Sequence, residues 1–272
     1  GALLGISTGL HALDMALRGL EKKKVYIIGG RPSMGKSTLA FSIGAHVALN
    51  GGLVAVFSLE MPDDDVYLKA VSGLGSVSYG RLRNEQPMDQ EDWQKSAASI
   101  KRLSETAFFI DDTGGVTPSY IRRRAQELIA DQGRPIDLII IDHLHLMNSD
   151  SGETNENARI TQIGSALMQL KKELNCPIIL LAQLNRELEK RPNKRPITSD
   201  LRASGAAEQD ADTLIFVYRD EVYDPDTADK GIAELIITKN RSGRIGTVRI
   251  NFEGKYQRFS NYEGCYTGDF YE

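Results

Sequence analysis

The string Gly30-Arg31-Pro32-Ser33-Met34-Gly35-Lys36-Ser37 constrains this chain more than any other feature of its sequence. It follows the apolar run VYIIG and precedes a stretch of helical character over residues 37–49, so a strand, a glycine-bearing loop and a helix are expected in that order. Such a loop turns its backbone N–H groups towards one point and sits on a helix N-terminus whose dipole favours anions. It is therefore a cradle for phosphates. In this P-loop pattern Lys36 would reach the β- and γ-phosphates of a bound nucleotide, and the Ser37 hydroxyl would ligate Mg²⁺. Gly30, Arg31, Pro32, Ser33, Met34, Gly35 and Thr38 would shape the rest of the cradle. The alternative is an accidental glycine-rich turn, against which the flanking strand and helix weigh.

The remainder of the chain supplies strands for a sheet around that loop. Apolar, β-rich runs at residues 25–28, 53–58, 107–110, 137–141 and 177–182 alternate with longer stretches of helical period. That alternation predicts a parallel sheet flanked by helices. Thr117 and Pro118 ahead of SYIRRRAQELIADQG give a capping residue and a first-turn proline, and Gly133 gives a stop. From Thr213 onward the runs at 214–219, 232–239, 246–252 and 255–259 are joined by short polar links, so antiparallel strands are expected there. Residues 148–157 and 191–204 are polar enough to read as mobile loops. Both follow strands of the parallel part, and loops at the carboxyl ends of parallel strands gather on one edge, where α/β proteins bind ligands.

Two carboxylates are delivered to that edge. Asp142 ends the run Leu138-Ile139-Ile140-Ile141, where it reads either as an ordinary turn-starting Asp or as the partner a P-loop needs to hold magnesium. Glu60 ends FSLEMP, where it reads either as a solvated residue ahead of a helix after Pro62 or as the group that deprotonates an attacking water.

Composition sets the outer bounds. With 272 residues, 41% hydrophobic and 26% charged, the chain can bury a sizeable core and is not disordered. No apolar run approaches the length of a membrane span, and GALLGISTGL lacks the segments of a signal peptide, so a soluble, cytoplasmic protein is expected. Cys176 and Cys265 do not form a disulfide framework, which fits a reducing compartment. The formal charge of −4 gives no overall basic footprint, so contact with nucleic acid would have to come from local charge. The chain begins with Gly1 in place of Met, which suggests a piece of a longer protein.

The strings RPSMGKST, FSLEMP, LIIIDHLHLM, LAQLNRELEKR, DLRASGAAEQDAD, FVYRDEVY and ITKNRSGRIGTVR follow one another in an order that resembles the RecA-like motor domain of DnaB-family replicative helicases. The resemblance covers nearly the whole chain. It implies a single RecA-like P-loop NTPase domain over residues 1–272, α/β, with a mainly parallel central sheet flanked by helices and antiparallel C-terminal strands. It further implies a homohexameric ring that hydrolyses ATP with Mg²⁺ at subunit interfaces, moves along single-stranded DNA and unwinds duplex. Primase and a helicase loader would be contacted through the full-length protein, whose N-terminal primase-interacting region this chain would lack.

The same resemblance assigns roles. It makes Glu60 the catalytic carboxylate and Gln183 a γ-phosphate sensor linked to DNA-contacting loops. Lys239 and Arg241 would reach the nucleotide of a neighbouring subunit, and Arg202, Ala203 and Gly205 would hold DNA phosphates. Arg219 would pack on the nucleotide base or pair with Asp220 or Glu221. The run from Arg186 to Arg195 has five basic and two acidic side chains and would either track the DNA backbone or form a solvated face. Two departures stand out. Ala203 replaces a residue that is usually acidic, and His143 and His145 stand where Tyr and Gln are more common. Two histidines beside Asp142 are also zinc-ligand types, although just past a strand they read as loop or packing residues. Alternatives to the helicase reading are a RecA-like recombinase or clock-type ATPase, and an ATP-binding loader or adaptor.

Overall fold

A computed structural model of the chain describes residues 2–202, 205–264 and 270–271. After a short helix α1 (His11–Leu17), the central strand β1 (Val25–Gly30) runs into the loop and helix α2 (Lys36–Leu49) that the sequence predicts. Then come β2 (Leu53–Ser58), α3 (Asp63–Gly75), α4 (Tyr79–Leu82), α5 (Gln90–Ser104) and β3 (Ala107–Asp111). Next are α6 (Pro118–Gln132), β4 (Leu138–Asp142), α7 (Glu156–Glu173) and β5 (Ile178–Gln183). The last third holds α8 (Gly205–Asp210), β6 (Thr213–Tyr218), β7 (Ile232–Asn240), β8 (Ile245–Glu253), β9 (Arg258–Asn261) and β10 (Phe270–Tyr271).

All ten of these strands join one sheet in the order β10-β8-β7-β6-β1-β5-β4-β2-β3, with β9 paired to β8. Strand β1 lies between β5 and β6 and is parallel to both. The strands from β6 to β3 are mutually parallel, while β7, β8, β9 and β10 pair antiparallel, as the change of pattern after Thr213 predicts.

The two-residue period of β1 sorts its side chains between two cores. Tyr26 and Ile28 face α2 and α3 with Leu39, Phe41, Ile43, Val66 and Val71, whereas Val25 and Ile27 face α6 and α7 with Ile121, Ile160, Ile163 and Leu167. Both faces of the parallel strands are covered, which is why their sequences are continuous apolar runs. Gly44 brings α2 onto the sheet: a Cβ there would lie 2.8 Å from Ile140 Cδ1.

Local signals hold where they are strong. The Thr117 side chain accepts from the Tyr120 N–H at 3.2 Å, and Gly133 ends α6 in the left-handed conformation. Other expectations change in detail. The strand expected at 255–259 begins only at Arg258, because Gly254–Tyr256 forms a 3-10 turn and Gln257 takes a φ of 47°. Within the stretch expected to be mobile over 191–204, of which residues 203–204 lie outside the described residues, the part from Arg191 to Asp200 is pinned: Arg191 makes two bonds of 2.7 Å to the Asp200 carboxylate, and Arg195 pairs with Glu234. These pairs also remove Arg191 and Arg195 from a solvated basic face.

At the amino edge of the sheet Asp212 is 5% exposed and joins three elements. Its Oδ2 accepts from Lys171 Nζ and from the Val25 N–H, each at 2.8 Å, and its Oδ1 lies 3.5 Å from Arg241. Burial pushes this carboxyl up, but the Lys171 and Val25 bonds outweigh it and hold it below the usual range. A carboxyl with a depressed folded-state pKa stabilises the fold above its ordinary pKa and loses that contribution as pH falls. Lys171→Met, which leaves a buried carboxylate without its ammonium partner, is therefore expected to cost about 3 kcal/mol at pH 7. Urea titrations of both proteins should show this gap shrinking below about pH 4.

Candidate functional site

The carboxyl ends of β1, β2, β4, β5 and β6 deliver the predicted residues to one edge. Ser58 pairs in register with Asp142, and Gly30 with Gln183, so Glu60, Asp142, Gln183 and the loop after β1 converge. Glu60, Gln183 and the loop border a cavity of about 470 Å³ lined by Arg31, Pro32, Ser33, Gly35, Lys36, Ser37, Thr38, Glu60, Gln183 and Arg219, and Asp142 is buried behind Ser37. Lys69, Phe252, Gly254 and Gln257 complete the lining, and sequence reasoning missed all four. Met34 turns inward, and its sulfur accepts from the Arg219 N–H at 3.2 Å.

The loop conformation depends on two left-handed residues, Ser33 at φ 72° and Gly35 at φ 92°. Gly35 is required twice over, since a Cβ there would also lie 2.9 Å from the Phe259 ring. Behind the loop, Ser37 Oγ donates to Asp142 Oδ2 at 2.8 Å. Asp142 is 1% exposed, and its Oδ1 is buried with no hydrogen-bond partner among the described residues. A buried carboxylate oxygen left bare beside a serine hydroxyl is the donor set a hard cation takes, so these two residues fit Mg²⁺. Burial raises the Asp142 carboxyl against the opposing Ser37 bond and Lys36 charge. The Lys36 ammonium is lowered by the same burial, against the attraction of Asp142 and Glu60, and it donates to the Ala182 carbonyl at 3.4 Å. A partly desolvated ammonium and a partly desolvated carboxylate gain stability when phosphates and a cation arrive together.

Glu60 precedes α3, as its solvated reading predicts, and 62% of its side chain is exposed, yet it also borders the cavity. Its Oε2 lies 3.7 Å from Nε2 of His143, a ring that is 2% exposed and that burial, then the Lys36 charge, lower to about 4. His143 is accordingly neutral at pH 7. Its Nε2 also stands 3.4 Å from Gln183 Nε2, so both histidines of DHLHLM have hydrogen-bond partners, and no group of three or more metal-ligating side chains forms among the described residues. Arg219 has its predicted ion pair with Glu221, donates to the Ser33 carbonyl at 2.7 Å and lies 4.0 Å over the Phe252 ring. Thr38 Oγ donates to Gln257 at 2.9 Å, tying α2 to the β8–β9 hairpin.

The other predicted residues lie apart. Arg202 borders a second cavity of about 440 Å³ with Gln183 and Arg186, and pairs with Glu156 at 3.1 Å. Gly205 starts α8, and Ala203 lies outside the described residues. Lys239 and Arg241 sit at the opposite, amino edge of the parallel strands, where Asn240 pairs with Thr213. At about 3.3 Å per residue, six-residue strands put them roughly 17–20 Å from the phosphate loop of their own chain. There Lys239 Nζ donates to the Glu208 and Gln209 carbonyls at 2.7 and 2.9 Å, and Arg241 to the Gln209 carbonyl at 2.7 Å.

The chain has extensive likenesses among known proteins. A family model described as the DnaB-like helicase C terminal domain matches residues 5–261. The Replicative DNA helicase DnaB of Pasteurella multocida is 42% identical over 261 residues, 95% of this chain and 56% of that protein. The Replicative DNA helicase DnaC of Bacillus subtilis is 37% identical over 265 residues, 97% of this chain and 58% of that protein. The chain thus spans about half the length of the curated relatives it matches. Among solved structures, one described as an ATPase domain gives a TM-score of 0.92 at 33% identity, covering 97% of this chain and 93% of that one. A DnaB-like replicative helicase, described with its interactions with primase, gives the same TM-score and identity over 97% of this chain and 63% of that one. No helix among the described residues is long and apolar enough to cross a membrane.

Gly35→Ala forces a side chain into the left-handed region and against Phe259. It is expected to lower the unfolding free energy by about 1–3 kcal/mol and to weaken nucleotide binding. Denaturant titration and a fluorescent-nucleotide titration check both, and unchanged values would mean that the loop tolerates the Cβ.

Proposed function

The chain belongs to the family of DnaB-like helicase C-terminal domains and has its RecA-like α/β fold, and on that premise we propose that it is the ATP-driven motor domain of a replicative DNA helicase. The observation that carries this reading is the meeting of Ser37 and Asp142 at 2.8 Å, with one carboxylate oxygen unpartnered among the described residues, directly behind the cavity that Ser37 lines with Lys36 and Glu60.

In this reading the inward N–H groups of the loop and Lys36 grip the β- and γ-phosphates of ATP, and Ser37 with Asp142 holds Mg²⁺. When bound, the magnesium ion neutralises charge that develops on the phosphate oxygens. Glu60 accepts a proton from the attacking water, helped by its open position at the cavity mouth. Gln183, whose amide both donates and accepts, registers the γ-phosphate. Arg219 and Phe252 flank the base side of the cavity.

Lys239 and Arg241 are too far from the phosphates of their own chain to act on them, so they serve the nucleotide of the next subunit. This requirement favours a ring, and a homohexamer is the assembly proposed. Arg suits the task because its planar, permanently charged fork stabilises charge on a transferring phosphoryl group. Arg202 and the start of α8 contact the phosphates of single-stranded DNA in the channel, and Ala203 contributes only through its backbone. Primase and a loader engage the full-length protein, which works in the cytoplasm.

The chemical assignment separates two variants. Lys36→Ala is expected to lose ATP binding, whereas Glu60→Ala should bind ATP normally and hydrolyse it about 10²–10⁴-fold more slowly. Single-turnover assays with equilibrium nucleotide binding distinguish them, and a wild-type rate in Glu60→Ala would exclude it as the base. On a forked duplex the full-length protein should displace a strand catalytically, which neither a recombinase nor a loader would do.

The shared site makes a separate demand. Glu60→Ala and Arg241→Ala should each be nearly inactive alone, yet mixed rings should regain single turnovers at junctions that pair the intact Glu60 of one chain with the intact Arg241 of the other. Absence of recovery in rings shown by native mass spectrometry to contain both variants would count against action between subunits.

A further inference from the structure

The two histidines that depart from the family pattern occupy consecutive places on a continuous polar path. His143 Nε2 lies 3.7 Å from Glu60 Oε2 and 3.4 Å from the Gln183 amide nitrogen. The Gln183 backbone N–H donates to His145 Nδ1 at 3.4 Å, and His145 Nε2 lies 3.0 Å from the Arg202 carbonyl. The Arg202 N–H returns to the Gln183 carbonyl at 3.4 Å, beside the bridge between Leu184 and Leu201. The two rings are 5.9 Å apart at their centres. Thus polar contacts of 3.4 Å or less link His143, the end of β5, His145 and the loop that carries Arg202, and the Glu60 carboxylate stands beside His143 at 3.7 Å, just beyond hydrogen-bond reach.

Hydrogen-bond chemistry limits what each ring does. His145 faces a donor at Nδ1 and a pure acceptor at Nε2, so one neutral tautomer, protonated on Nε2, satisfies both contacts. A phenyl ring of the same outline would satisfy neither. His143 differs, because its Nδ1 is buried with no hydrogen-bond partner among the described residues and its Nε2 faces a carboxylate and an amide at once. A single ring nitrogen either donates to Glu60 or accepts from the Gln183 amide. It cannot do both, so a shift of Gln183 changes the partner available to Glu60.

We propose that His143 and His145 are positioning residues that tie the placement of Glu60 and Gln183 to the loop carrying Arg202, so that DNA held at Arg202 sets the rate of the water-activation step. The inference rests on the reading of Glu60 as the water activator. Neither histidine touches the reacting atoms. His145 fixes the end of β5 against the loop, and His143 transmits the position of Gln183 to the carboxylate.

The test uses the full-length protein and measures ATP hydrolysis with and without single-stranded oligonucleotide. His145→Phe is expected to reduce the DNA-induced rise in kcat about tenfold, with KM for ATP and Kd for the oligonucleotide within about twofold of wild type. His145→Gln, whose amide supplies one acceptor and one donor, should restore most of that rise, which a purely space-filling role would not predict. His143→Phe should lower kcat while leaving KM for ATP unchanged. Full DNA stimulation in His145→Phe, or no rescue by His145→Gln, would overturn the relay. Glu60→Ala, run in parallel, separates the two levels of failure. If it is inactive while His145→Phe keeps full stimulation, only the relay is wrong; a wild-type rate in Glu60→Ala removes the functional reading and the relay together.

Discussion

The parallel pairing of β1 with both β5 and β6 is the constraint on which the rest of the structure depends. Because all three strands point the same way, Gly30, Gln183 and Arg219 emerge at one edge. The phosphate loop, the strand end that bears Gln183 and the arginine that braces Ser33 are neighbours for that reason alone. The same rule applied to β2 and β4 places Ser58 beside Asp142 and so brings Glu60 near the loop. The binding edge follows from strand direction, and the two apolar layers on either face hold that direction in place.

Electrostatics at that edge are prepared in advance of any ligand. Asp142 and Lys36 both carry the cost of burial, and each is the other's partial compensation. Ser37 satisfies one carboxylate oxygen and leaves the second bare. Lys69, lowered by burial and drawn by Asp142, adds another cation to the same cavity. Such a site is under-neutralised by its own groups, which is a direct physical reason for it to bind a cation and polyphosphate together.

The amino edge has a different character. There Asp212 gathers Lys171, the Val25 N–H and Arg241, while Lys239 and Arg241 rest on the carbonyls that end α8. Cations at a helix C-terminus interact favourably with its dipole and unpaired carbonyls, so these two side chains have a defined resting place. Helix α8 begins next to the loop that carries Arg202 and ends under Lys239 and Arg241. The short helix packs against α7 where Gly164 faces Ala207.

The sequence by itself determined the features that are contiguous along the chain. The phosphate loop was legible because strand, glycine loop and helix are consecutive and backbone N–H groups do the binding. Thr117 and Gly133 were legible as the ends of α6 because capping is local. Asp142 and Glu60 could be read as strand ends, and family resemblance gave them roles that their own environment left open. The order of the strands was not legible, because period-two patterning reports which face a residue takes and not which strand lies beside it. Only the tertiary structure decided that Phe252 and Gln257 fold over the loop, that Lys239 and Arg241 lie at the far edge from the phosphate loop of their own chain, and that His143 stands beside Glu60 while His145 meets the Arg202 carbonyl. Those contacts join residues far apart in the chain, and their existence depends on the packing of the whole sheet rather than on any local preference.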